Sequence, residues 1–315
     1  MNKKTFTQTF LGCIAALSIL SGCGDSAKQN QSTSSHQAGS VAPTDPVKAF
    51  AWYSVEAGNG NLEAMMELST RYMYGTGVDP DATLAFYWIK KAADKGQSKA
   101  KAYAALFLFQ GIGTDKDETT SIQLLQKEAK ADNLHAMVIL ASFYEIGAGV
   151  PKDMKQALAW HLKAAERYEP SSLYFVGRCY AKGLAGLQRD DNKAFEYYRD
   201  ASDKGSIEAT GKLGSCYALG RGVTKDMNTG IDLIQLAANS GDADSIHNLG
   251  VCNERGIGTP VDMAEALHLY RQAAEAGSHE SMYNLAVCLA AGTGIEQNQE
   301  QADEWFKKAA QGGIQ

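Results

Sequence analysis

The sequence carries no excess of positive charge. Its 30 Lys and Arg are outnumbered by 36 Asp and Glu, for a formal net charge of −6. The electrostatic footprint of a nucleic-acid binder is therefore missing, and so is the basic surface that would seek an anionic bilayer. Catalytic motifs are scarce as well. There is no G-x-S-x-G, no H-E-x-x-H and no G-x-G-x-x-G. The stretch Gly205 to Lys212 contains a Gly-Lys pair, but it misses phosphate-loop spacing by one residue and lacks Ser or Thr after the lysine. One S-x-x-K occurs, Ser98 to Lys101, without its S-D-N and K-T-G partners. The histidines at 36, 135, 161, 247, 268 and 279 share no common register. These absences predict a protein that is not an enzyme, with no catalytic residues, no metal ligands and no cofactor.

Long apolar runs are also rare. The stretch Thr5 to Leu20, behind Lys3 and Lys4, is too short and wrongly flanked to span a bilayer, and reads as a secretory signal over residues 1–22. It ends in Leu20-Ser21-Gly22-Cys23, which resembles the bacterial lipobox. That resemblance implies cleavage before Cys23, lipid attachment at Cys23 and stable anchoring by more than one acyl chain. Gly24 follows directly and Asp25 comes one place later, which by the same resemblance implies the outer membrane, with the rest of the chain in the periplasm or at the cell surface. Residues 23–44 form the lipidated Cys and a tether rich in Ser, Gln, Ala and Thr, too poor in large apolar side chains to offset its ordering entropy. Removal of Lys3 and Lys4 changes the balance from 30 − 36 = −6 to 28 − 36 = −8.

Beyond residue 44 the chain is dominated by a period. Gly-x-Gly-type turns begin at Gly75, Gly111, Gly147, Gly183, Gly220, Gly256 and Gly292, at steps of 36, 36, 36, 37, 36 and 36 residues. A fixed period in this range marks a solenoid, a stack of small units that works by presenting a long surface. Past each second glycine stands an acid or amide: Asp81, Asp117, Asp153, Asp190, Asp226, Asp262 and Asn298. This column predicts helix N-caps, not a row of metal or catalytic carboxylates. Gln156, Glu265 and Gln301, three residues on, predict capping boxes. Small residues at cap +4, large ones at +7 (Trp88, Trp160, Tyr197, Trp305 among them) and small pairs at +11 and +12 lie on one helical face and define helix B. Helix B ends near Gly96, Gly205, Gly241, Gly277 and Gly313, whose lack of a Cβ suits a left-handed stop. Helix A precedes each turn, with the column Leu68, Ala104, Leu140, Val176, Leu213, Leu249 and Leu285, each followed by a small residue.

The pattern Ala-x-x-x-Leu-Gly-x-x-Tyr-x-x-Gly-x-Gly-Val-x-x-Asp, then Ala-x-x-Trp/Tyr-x-x-Ala-Ala-x-x-Gly, resembles the Sel-one-like repeat (SLR) family, relatives of the tetratricopeptide repeat. The resemblance implies an all-α fold, a right-handed α-solenoid of seven two-helix repeats over residues 61–315. Residues 45–60 fit helix B alone, with Asp45, Pro46, Ala49, Trp52, Ala57 and Gly60, and make an N-terminal half repeat. The second repeat departs with Leu108 in the tyrosine column and Asp132 in place of a glycine; the fourth turn, Gly183-Leu184-Ala185-Gly186, is one residue too long. The last unit, around Trp305 and Phe306, is expected to meet a partner or a second copy.

Cys179, Cys216, Cys252 and Cys288 occupy one helix A column in four successive repeats. Neighbouring equivalent helices lie roughly 8–10 Å apart and a disulfide needs Cα atoms within about 7 Å, so these cysteines are expected to stay unbridged as small buried hydrophobes.

The family resemblance also implies that helix A lines the inner face of the stack. The candidate partner groove is Tyr74, Tyr103, Phe109, Tyr174, Phe175, Arg178, Lys212, Asn248, Arg255 and Asn284, a strip of aromatic and polar anchors for a protein or peptide. The whole sequence is read as an envelope protein–protein interaction scaffold, attached to the membrane by its lipid only. The alternative is a β-lactam- or peptidoglycan-binding, hydrolase-like SLR protein acting through Ser98.

Overall fold

The computed structural model describes residues 41–312. Cys23, the signal segment, most of the tether and Gly313 lie outside the described residues. Fifteen α-helices and no strands are present among the described residues. The half repeat is α1 (Pro46–Gly58). Helices A and B then alternate: α2 (Leu62–Tyr74) and α3 (Ala82–Asp94), α4 (Ser98–Gln110) and α5 (Glu118–Lys130), α6 (Leu134–Ile146) and α7 (Met154–Ala165). The series continues as α8 (Pro170–Lys182) and α9 (Asp191–Asp203), α10 (Ile207–Leu219) and α11 (Met227–Asn239), α12 (Ala243–Arg255) and α13 (Met263–Glu275), α14 (His279–Ala291) and α15 (Gln299–Gln311). The fold is an all-α solenoid of repeats. The described residues divide inside α5, between Leu124 and Leu125, into two compact units.

Both glycine and acid columns act as their chemistry requires. Every helix A stops at its first turn glycine in the left-handed region, with φ from +63° at Gly183 to +78° at Gly147. In that conformation the glycine N–H reaches back into the last helical turn, as Gly147 does to the Phe143 carbonyl at 2.8 Å. Helix B then restarts on its acid. The Asp81 carboxylate accepts from the Leu84 N–H at 2.9 Å, Asp117 from Thr120 at 2.9 Å and Asp226 from Thr229 at 3.2 Å.

The capping-box expectation is corrected. The cap N–H groups of Asp153, Asp262 and Asn298 already donate to the carbonyls of Tyr144, Asn253 and Leu289, at 2.9, 2.8 and 2.9 Å. The same bond closes every turn, from Asp81 to Tyr72 through Asp190 to Tyr180. It takes the donor that Gln156, Glu265 or Gln301 would otherwise use. The tyrosine column is thus also the carbonyl column on which each turn is pinned.

The small-residue columns set how closely A and B approach within a repeat. In the first unit Ser69 donates to the Ala85 carbonyl at 2.8 Å, and Ser121 to the Ala105 carbonyl at 2.6 Å. In the second unit, a Cβ built on Gly214 would lie 2.7 Å from the Gly230 carbonyl oxygen. Around these seams pack Met65, Leu68, Ile89 and Phe107 in the first unit, and Leu140, Val176, Ile234, Tyr270 and Leu285 in the second, all buried.

Among the described residues, three non-glycine residues adopt positive φ: Asp132 at +65°, Tyr168 at +56° and Ala185 at +56°. Each stands where the glycine pattern breaks. Asp132 replaces the helix B stop glycine, Tyr168 follows the end of α7, and Ala185 sits in the fourth, longer turn. At Asp132 the backbone carbonyl accepts from the Arg167 guanidinium at 3.0 Å, a bond from the next repeat's end that holds the strained residue.

The four repeat cysteines are free and buried. Burial pushes the Cys179 and Cys216 thiols up to about 11 and raises Cys252 and Cys288 as well. A rise from 9 to about 11 leaves about 100-fold less thiolate near neutral pH. In the native protein at pH 8, Cys179 and Cys216 should therefore react with a disulfide reagent about 100-fold more slowly than in guanidinium chloride. Alkylation with peptide mapping separates them from Cys13 and Cys23; equal rates in both solvents would show that the thiols are reachable.

Candidate functional site

The helix A residues singled out from sequence divide sharply once folded. Tyr74, at the end of α2, is 51 % exposed. Arg255, at the end of α12, is exposed beside Glu254, 3.8 Å away. Tyr174, Arg178, Lys212, Asn248 and Asn284 are half-buried. Tyr103 and Phe109 on α4 are each 6 % exposed and Phe175 on α8 is 4 % exposed. These three rings are corrected from partner-facing anchors to core. They turn toward neighbouring helices because aromatic area is worth more in the inter-helix seam than against water.

Within the second unit the structure gathers Tyr174, Arg178 and Lys212 and adds three acids that sequence reasoning did not single out. Arg178 of α8 forms an ion pair with Glu145 of α6. Lys212 of α10 donates to Asp244 of α12 at 2.6 Å. Both pairs join the helix A of one repeat to that of the next. Tyr174 lies in the field of both cations and of Asp244 and Asp242. Burial pushes its hydroxyl above the ordinary value, and Lys212 and Arg178 oppose that rise. Burial also opposes the charge on Arg178, but Glu145 outweighs it and raises the guanidinium; Asp244 does the same for Lys212. Both side chains stay cationic, half in water, in fixed positions.

Asn284 and Tyr270 close the strip at its far end. The Tyr270 hydroxyl donates to Glu254 at 2.8 Å and is also hydrogen-bonded to Asn284. Tyr270 itself is fully buried. Opposite charges 33 and 32 residues apart, Glu145 to Arg178 and Lys212 to Asp244, were the available sequence signal for these pairs. One repeat's separation between unlike charges is what a stack of repeats converts into contact.

A second overlooked column is cap +8 of helix B: Tyr53, Ile89, Leu125, His161, Tyr198, Ile234, Tyr270 and Phe306. It faces the seam, and Ile89, Leu125, His161, Tyr198, Ile234 and Tyr270 are buried. His161 is the only titratable base among them.

Ser98 is the first residue of α4 and is exposed; Lys101 follows one helical turn later and is half-buried. Among the described residues no group of three or more His, Cys, Asp and Glu is arranged to hold a metal ion. No helix there is long and apolar enough to cross a membrane.

This geometry, stacked two-helix units with a half-buried polar strip on successive A helices, defines a repeat scaffold of the kind generally used for protein–protein interaction. The Sel1 repeat is matched at residues 35–54, 62–97, 98–133, 134–168, 170–206, 207–242, 243–278 and 279–314, and the chain belongs to the Sel1 repeat family. Among solved structures it is similar to c5321, a protective antigen of uropathogenic Escherichia coli strains with an SLR fold. That match has 31 % identity and a TM-score of 0.60, and covers 86 % of this chain. The chain spans 58 % of the length of that antigen. It is also similar to a Sel1 repeat protein from Oxalobacter formigenes, with 25 % identity and a TM-score of 0.69, covering 80 % of this chain and 98 % of that one. No curated protein matches.

Proposed function

We propose that this protein is an envelope scaffold that captures a protein or peptide on its helix A face, held to the outer membrane by lipid on Cys23. The family fold supports the scaffolding part of this reading. The observation that carries it is the strip of Tyr174, Arg178, Lys212 and Asn248 on three successive A helices, half-buried and therefore ordered while still reaching water. Ordered Tyr and Arg side chains lose little rotamer freedom on binding, which is why they anchor interfaces. The lipobox resemblance of Leu20-Ser21-Gly22-Cys23 supports the anchoring part. No observation favours hydrolysis at Ser98.

A photo-crosslinking residue at Asn248 should trap one discrete partner in cells. The same residue at Glu196 or Asp232, on the exposed outer face of helix B, should trap none. Equal trapping from both faces would refute the assignment of the helix A face. Independently, Cys23→Ala should move the protein from the membrane fraction to the soluble one.

A further inference from the structure

His161 lies where the repeat elsewhere places Ile, Leu, Tyr or Phe. It is 3 % exposed, on α7, against α8 of the next repeat. Its Nδ1 is 2.9 Å from the Ser172 hydroxyl, and its ring stacks on Phe175 with centroids 4.1 Å apart and planes at 28°. Its Nε2 is buried and has no hydrogen-bond partner. Arg178 lies over the Phe175 ring, 5.2 Å from its centroid.

A neutral imidazole fits this seam, because one nitrogen meets Ser172 and the ring packs on Phe175. An imidazolium does not. Its second N–H would find no acceptor, and its charge would sit in a dry seam beside another cation. Across that seam, α8 contributes Arg178, whose charge opposes protonation, and the neutral Cys179. Glu145 of α6 is committed to Arg178, and Glu169 at the start of α8 is committed to the N–H groups of Ser171 and Ser172. No carboxylate is left to receive the proton's charge among these groups.

We propose that the α7–α8 seam is an acid-operated joint, in which uptake of one proton by His161 parts the two helices and its loss closes them. Burial, followed by Arg178, holds His161 down to about 3 from its ordinary 6.5. The parted state takes up the proton with ordinary affinity and the closed state does not. Above pH 6.5 both states are deprotonated and the joint is at full strength. Between 6.5 and about 3, each unit of acidification favours the parted state by about tenfold.

His247 is a built-in contrast. Its Nδ1 also meets a serine of the next A helix, Ser281, at 2.8 Å. Burial, the largest effect, also lowers the His247 pKa, but Glu280 on α14 and Asp244 and Glu254 on its own α12 face it and oppose that lowering, while Lys212 from α10 adds to it. A proton there has carboxylates beside it, which His161 lacks, so the larger acid response belongs to His161.

Hydrogen exchange by mass spectrometry on the full chain, at pH 7.5, 6.0, 5.0 and 4.5 with correction for intrinsic rates, tests this. Peptides spanning residues 154–176 should lose protection by about tenfold per pH unit below about 6 in the natural protein. They should do the same in His247→Tyr. In His161→Phe, which restores a residue type found in this column at Phe306, the loss should disappear. If His161→Phe is not helical at pH 7.5 by circular dichroism, His161→Leu, matching Leu125, is read instead. An unchanged acid response in the folded His161 variant, or none in the natural protein down to pH 4.5, overturns the proposal. So does a response that disappears in His247→Tyr.

Discussion

Gly113→Ala is expected to destabilise the first unit by about 2–5 kcal/mol, a large fraction of the stability of a small domain. Two costs add. Gly113 has φ +64°, where a side chain costs about 1–2 kcal/mol. A Cβ there would also lie 1.8 Å from the Ala82 carbonyl oxygen, 2.4 Å from its carbon and 2.8 Å from the Thr83 nitrogen. Those atoms belong to the first turn of α3 and cannot swing aside as a side chain end can. Overpacking of that kind adds about 1–3 kcal/mol. Gly77 and Gly222 stand in the same relation to the carbonyl oxygens of Pro46 and Asp191, each 2.1 Å from the built Cβ. The second glycine of the turn is therefore the point at which one repeat's turn sits on the start of the preceding helix B.

Gly96→Ala separates the two costs. Gly96 has φ +97° but nothing within 4 Å of a built Cβ. It should lose only the conformational part, about 1–2 kcal/mol. Gly294→Ala should be cheaper than Gly113→Ala, because its nearest atom is the Met263 Cγ at 2.6 Å on a flexible side chain. Urea unfolding of the three variants reads the order directly. Equal losses at Gly113 and Gly96 would show that close approach is not what the second glycine provides.

Phe175→Ala is expected to cost the second unit about 3–5 kcal/mol, the range for deleting a buried aromatic ring. Phe175 packs among Ala157, Leu158, Leu173, Val176, Cys179 and Ala209, and carries both the His161 stack and the Arg178 contact. The change would leave a cavity and remove the surface that keeps His161 dry. Tyr74→Ala, by contrast, should stay within about 0.5 kcal/mol of the natural protein, since its ring is half in solvent. Thermal or urea unfolding distinguishes the two, and a Phe175→Ala protein of near-natural stability would mean that the ring is not core. Phe175, Tyr103 and Phe109 are accordingly poor probes of partner capture, because removing them would abolish binding by unfolding the site. Half-buried Asn248 and exposed Arg255 report on the surface instead.

The contrast between Tyr74 and Phe175 shows how much of the site was legible in advance. Both are aromatic, both lie on helix A, and both were expected to face a partner. Periodicity assigns a residue to a helix and a register. It does not say whether the next helix covers it, because that depends on how far the following repeat is displaced across the seam. The capping boxes failed for a related reason. Asp153 and Gln156 have the right local spacing, but the cap N–H was already taken by Tyr144, nine residues back across the turn. Glu145 with Arg178 and Lys212 with Asp244 were visible only as unlike charges about one repeat apart.

What the sequence determined by itself is everything governed by local chemistry. The turn glycines stop helix A because only they take positive φ without strain, and the following acids restart helix B because their oxygens satisfy orphaned N–H groups. Repeated at a constant interval, those two rules specify the helices and their alternation. What only the tertiary structure decided is which face of each helix is closed by its neighbour. That choice placed Phe175 in the core, left Arg178 and Lys212 half in water, and put a histidine into a dry seam. It rests on contacts between residues about one repeat apart, where burial, not local preference, sets the energy.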